Sequence, residues 1–200
     1  MKKKNYIIII LIITFLFLIS RLIKIYEKKE YIYKENFLKQ DDYINLLNEL
    51  KKYDDQLNYS KEDSSNLIRY NLVIDSNHTY TNNAVTNILK KYQGEIRSIT
   101  QNQSIYLAKD FPIEYRKYVP GSFMQKHKDT LIYKVPQYEC VLTLSNTTDS
   151  VTKMKDTPIK ATPNSLIVVK ALGVEHEVTK VNKGERKFLK FIFTETDHKL

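Results

Sequence analysis

From residue 104 onward the chain is cut into short β-capable runs by turn-forming segments, and few architectures accept that texture. The runs are Ser104–Ala108, Glu114–Val119, Tyr138–Leu144, Leu166–Lys170, Val174–Val181 and Lys187–Phe193. Between them lie Val119-Pro-Gly121, Asn146-Thr-Thr-Asp149, Thr162-Pro-Asn164 and Asn182-Lys-Gly184, whose Gly, Pro and Asn residues favour turn backbone. Short strands separated in this way close into a sandwich or jelly roll. Ahead of them, Leu67–Ile74 reads as a strand and Asn83–Tyr92 as a helix closed by Gly94. Tyr43, Leu46, Leu47 and Leu50 recur at helical spacing and predict an amphipathic helix earlier still.

The N-terminus is of another kind. Tyr6–Ile19 is apolar on every face, as lipid on all sides requires, and follows Lys2-Lys-Lys4. A full span needs about 20 residues. The run reaches that length through Leu22, Ile23, Ile25 and Tyr26 if Arg21 and Lys24 extend to the lipid headgroups. No small-residue cleavage pattern follows Ser20, so an uncleaved signal anchor is preferred to a cleaved signal peptide. The expected organisation is a short basic tail and transmembrane anchor over 1–26, a juxtamembrane stalk with one helix over 27–65, and a folded domain over 66–200. Asn58, Asn77, Asn102 and Asn146 open Asn-x-Ser/Thr sequons. They favour a single-pass membrane protein with its domain lumenal or extracellular. Basic residues flank the anchor on both sides, so the positive-inside count leaves orientation open.

Composition narrows the chemistry. One cysteine, Cys140, excludes an internal disulfide framework and multi-cysteine metal sites, and its strand makes it buried apolar filler. Much of the +9 net charge flanks the anchor, where it suits a lipid bilayer. No basic run interleaved with aromatics marks a nucleic-acid groove, so nucleic acid is not an expected partner.

Glycine and histidine are scarce, 4 of each. Yet Gly121, Gly173, Gly184, His127 and His176 all fall within residues 118–186. His127-Lys-Asp129 is a His-x-Asp, and in extended backbone two such side chains share a face and can close on one ion. His176 is the strong candidate for a third ligand. Two imidazoles and one carboxylate form a facial triad that leaves positions open on a non-haem Fe(II). Tyr118 stands nine residues before His127, and Arg186 ten after His176, opening an apolar strand. Taken singly, His127 reads as a loop histidine, His176 as a satisfied core histidine and Arg186 as a surface charge. Their common register favours the site.

In order and spacing these four elements resemble the prolyl 4-hydroxylase-like branch of the 2-oxoglutarate- and Fe(II)-dependent dioxygenases, over roughly residues 104–195. The resemblance implies a mainly β fold, a double-stranded β-helix (jelly roll) with flanking helices. It implies that His127, Asp129 and His176 hold Fe(II), and that Arg186 and Tyr118 bind the distal carboxylate of 2-oxoglutarate. A guanidinium fork matches a carboxylate, and a phenol adds a donor without charge. It further implies O2 and a protein or peptide substrate, hydroxylated on a prolyl or lysyl side chain, with ascorbate as a further cofactor. Three departures stand out. Collagen-type prolyl hydroxylases usually carry lysine where Arg186 stands. The usual Gly-Gly-Glu/Asp-Thr segment is replaced by Asn146–Lys155. Ile192 occupies the position, six after Arg186, where the nucleic-acid-demethylating branch has a second arginine. The alternatives are a non-catalytic, membrane-tethered jelly-roll binding module, or a dioxygenase acting on a nucleic-acid base or small molecule.

Overall fold

The computed structural model describes residues 13–14, 30–62, 67–75, 83–196 and 200. In chain order its strands are β1 (Tyr31–Lys34), β2 (Asn58–Glu62), β3 (Leu67–Asp75), β4 (Tyr106–Leu107), β5 (Ile113–Tyr118) and β6 (Met124–His127). Then follow β7 (Gln137–Asn146), β8 (Thr152–Met154), β9 (Thr157–Ile159), β10 (Ser165–Lys170), β11 (His176–Val178) and β12 (Arg186–Thr194). The helices α1 (Gln40–Lys51), α2 (Ala84–Lys91) and α3 (Gln93–Thr100) and a 3-10 turn at Asp54–Gln56 lie among them.

The strands form two sheets. The larger runs β1-β10-β7-β12-β5-β3-β2, with β4 also paired to β12, and the smaller runs β6-β11-β8-β9. All strand pairs are antiparallel. Period-two alternation divides the work of the large sheet. Tyr138, Cys140, Leu142 and Leu144 of β7 and Leu189, Phe191 and Phe193 of β12 join Leu46, Leu50, Val85, Leu89 and Ile96 in one buried cluster beneath the helices. The intervening residues face the small sheet: Ile167 and Val169 meet Met154 and Ile159, while Tyr118 and Phe188 meet Val178. The expected mainly β fold with flanking helices, consistent with a jelly roll, is present.

Of the stretch 27–65, expected as a stalk with one helix, the described residues 31–62 belong to the folded unit: β1 pairs with β10 in the register Tyr31↔Val169, and Leu46 and Leu50 of α1 are core residues. Lysine and glutamate on the outer face of this stretch disguise an inner face that a sheet edge and two helices need for cover. Of the polar patch at 59–66, the described residues 59–62 are strand, since β2 pairs with β3. Gly94 does not close α2. It lies in the first turn of α3, and the left-handed residue ending that helix is Gln101, φ 54°.

The anchor segment lies, apart from Ile13 and Thr14, outside the described residues. Among the described residues no helix is long and apolar enough to cross a membrane.

Candidate metal centre

His127 ends β6 and His176 opens β11, and the two are cross-strand partners. Their ring centroids lie 4.3 Å apart at 54°. Asp129 lies two residues beyond the end of β6, and its two oxygens divide between the imidazoles. Oδ1 lies 3.6 Å from Nε2 of His127, and Oδ2 lies 3.6 Å from Nε2 of His176. One ligand atom from each of the three residues falls within 4.8 Å of the others. Both contacts are too long for hydrogen bonds. Ligands held at about 2.0–2.2 Å from one ion stand about 3 Å apart, so a small contraction closes the set.

The remaining ring nitrogens fix the tautomers. Nδ1 of His127 donates to the Gln125 carbonyl at 2.8 Å, and Nδ1 of His176 to the Val174 carbonyl at 3.2 Å. Each Nε2 lone pair is thereby turned toward the common point, the usual outer-shell device of a metal histidine. Asp129 is held from behind. Its carbonyl accepts from the Leu172 amide at 2.9 Å. Gln137, fully buried, accepts from the Ile132 amide at 2.8 Å and donates to the Thr130 carbonyl at 3.3 Å.

Charge favours a cation here. Burial pushes the Asp129 carboxyl up, but His127, His176 and Lys190 outweigh it and hold the group below its ordinary value. The Asp129 carboxylate holds His127 above the usual imidazole value, against the opposing effect of burial. Burial holds His176 below it, favouring the neutral ring that binds metal.

The cavity beside this cluster runs between the two sheets, with apolar walls that include Val141, Met154, Val169, Val178 and Phe188. At one end Arg186 and Tyr118 are cross-strand partners, 3% and 1% exposed. Arg186 donates from its two terminal nitrogens to Thr152 Oγ1 at 3.0 Å and Thr143 Oγ1 at 3.3 Å. Its Nε finds no partner, and no carboxylate of the described residues pairs with the guanidinium. Burial lowers its pKa to about 10, which leaves it charged at neutral pH. A buried cation without an anion is costly, so this end of the cavity is built to receive one. The donor set fits the distal carboxylate of a 2-oxo diacid, and the three-ligand cluster fits a divalent iron.

All five residues singled out from the sequence thus line one cavity. Others on the same wall escaped that reading: Arg116 on β5, Glu139 on β7 and Lys190 on β12. Glu139 pairs with Lys190 at 2.6 Å, and Glu114 with Arg116 in a short contact. The signal was available, because period two from Tyr118 leads to Arg116 and from Arg186 to Lys190.

No protein-family model matches the sequence, and no curated protein matches it. Solved structures do resemble it in fold. A prolyl-4-hydroxylase from Pseudomonas putida aligns with a TM-score of 0.63 at 21% identity, covering 84% of this chain and 93% of that one. A prolyl hydroxylase from Trichoplax adhaerens, solved in complex with a hypoxia inducible factor peptide fragment, gives 0.63 at 10% identity, covering 83% and 84%. HygX from Streptomyces hygroscopicus, with nickel, 2-oxoglutarate and hygromycin B bound, gives 0.61 at 9% identity, covering 87% and 86%. The chain has the fold shared by prolyl hydroxylases and other 2-oxoglutarate–Fe(II) oxygenases.

Proposed function

We propose that this protein is an Fe(II)- and 2-oxoglutarate-dependent dioxygenase that hydroxylates a protein side chain, prolyl or lysyl in kind. The observation that carries the reading is one cavity with a carboxylate-poor, buried Arg186 at one end and a two-histidine, one-carboxylate cluster beside it. Bound iron and 2-oxoglutarate would supply the oxidising chemistry. The chain's own part is placement. His127, Asp129 and His176 hold the ion on one side and leave its other positions open. Arg186 and Tyr118 set the orientation of the keto acid by gripping its far carboxylate. Apolar walls keep water from competing for the open positions.

The peptide held by the Trichoplax neighbour supports a peptide substrate for this chain. The antibiotic held by HygX supports a second reading, a small-molecule substrate. The apolar N-terminal run and its basic flanks support a single-pass membrane tether. The sequons support a lumenal or extracellular domain, but not all equally, because the Asn146 carboxamide is engaged within the fold by Ala161 and Thr148.

The substrate is tested by incubating the full chain with Fe(II), 2-oxoglutarate, ascorbate and a peptide array, then reading products by mass spectrometry. A gain of one oxygen on proline or lysine is expected. Succinate formed with a small molecule but with no peptide would favour the second reading. No succinate with either would support a non-catalytic binding module.

A further inference from the structure

Three rows of side chains cross the cavity wall where β12 pairs with β5: Arg186 with Tyr118, Phe188 with Arg116, and Lys190 with Glu114. The first row holds the unpaired guanidinium. The third lies toward the metal cluster: Lys190 pairs with Glu139 at 2.6 Å, Glu139 accepts from Gln137 at 3.2 Å, and Gln137 donates to the carbonyl of Thr130, the residue after Asp129. Arg116 occupies the row between them, only 6% exposed. Its Nη2 is taken by Glu114, while its Nε is buried and has no partner among the described residues. A buried N–H without an acceptor is destabilising, and more so in a charged group. This one borders a cavity whose carboxylates are engaged elsewhere, Glu139 by Lys190 and Gln137, and Asp129 by the two histidines, so the acceptor it lacks is one that a ligand brings.

Dimensions select which ligand atom that is. Successive rows on a strand face lie about 6.6–6.8 Å apart. Four carbon–carbon bonds of about 1.5 Å place the two carboxylate carbons of an extended five-carbon diacid about 5 Å apart. A diacid anchored by Arg186 and Tyr118 and directed toward the metal cluster therefore brings its second acidic end to the Arg116 row. We propose that Arg116 is a second clamp on the keto acid, its Nε donating to the end that faces the metal while Arg186 holds the distal carboxylate. This rests on the reading of the cavity as a 2-oxoglutarate site. It assigns a residue that neither the His-x-Asp pattern nor the Tyr118 and Arg186 spacing singles out.

The test is calorimetric titration of the full chain loaded with redox-inert Mn(II), using 2-oxoglutarate and pyruvate. These keto acids share the metal-facing end and differ at the distal carboxylate. For wild type, 2-oxoglutarate should bind much more tightly than pyruvate. Arg186→Gln should erase most of that preference. Arg116→Gln should weaken both keto acids by a similar factor, roughly ten- to a hundredfold for a lost charge-assisted hydrogen bond, and keep the preference. Mn(II) affinity and melting temperature are followed in parallel. If Arg116→Gln does not fold, Arg116→Lys, which keeps a cation beside Glu114 but removes Nε, carries the test with the same pattern expected. Unchanged affinity for both keto acids would overturn the assignment and leave Arg116 a partner of Glu114 alone. Loss confined to 2-oxoglutarate would also overturn it, by moving Arg116 to the distal carboxylate. Failure of the wild-type chain to bind 2-oxoglutarate with Mn(II) would instead remove the cosubstrate site itself.

Discussion

Gly184 stands two residues before Arg186 with φ 76°, and a Cβ there would lie 2.3 Å from the Thr147 carbonyl oxygen. Two requirements, left-handed backbone and close approach, coincide at the turn that aims the arginine. Gly184→Ala should therefore lower stability by about 1–3 kcal/mol, read as a depressed melting temperature. It should also weaken 2-oxoglutarate more than metal, because Arg186 starts the next strand. An unaltered melting temperature would show that the turn relaxes without strain. At this scale the chemistry was legible in sequence where residue type is scarce. His127, His176 and Gly184 stand out in a chain with 4 histidines and 4 glycines. Arg116, Glu139 and Lys190 did not, because 32 basic and 23 acidic residues surround them and only the strand register shows that they point inward.

Among elements, the 3-10 turn at Asp54–Gln56 clasps the large sheet. The Asp54 carboxylate accepts from the Tyr115 hydroxyl on β5 at 2.5 Å and from Lys187 Nζ on β12 at 2.9 Å. Burial pushes this carboxyl up, but the Tyr115 hydrogen bond and the Lys187 ammonium outweigh it, so it sits below its ordinary value of 3.8. A depressed folded-state pKa contributes stability above the unfolded value and loses it as pH falls through the folded one. The melting temperature of wild type should thus fall more steeply below about pH 4 than that of Asp54→Asn. Parallel curves for the two would show that the clasp is energetically silent. Long, evenly patterned elements such as α1, β7 and β12 were legible because their apolar period extends over 9 residues or more. The short strands β6, β8 and β9 were not, since 3 or 4 residues carry too little period to register. They nonetheless make up most of the small sheet that presents His127 and faces Arg186 with Thr152.

Across the whole molecule, the fold brings together residues as far apart in sequence as Arg116 and Lys190 to line one cavity. The apolar N-terminal run kept the first sixty residues looking like an accessory, whereas β1 and α1 extend the same sheet and core as the rest. The +9 net charge, which composition alone would attach to an anionic partner, tells less than the placement of two arginines inside. The central claim is that one cavity binds a divalent iron through His127, Asp129 and His176 and a 2-oxo diacid through Arg186. It is tested most directly by anaerobic titration of the full chain with Fe(II) and then 2-oxoglutarate, followed by visible absorption. The expected result is a metal-to-ligand band that appears only with both added, is absent in Asp129→Ala, and needs more 2-oxoglutarate in Arg186→Gln. A wild-type chain that binds Fe(II) and 2-oxoglutarate without producing that band, or a band unchanged in Asp129→Ala, would contradict it.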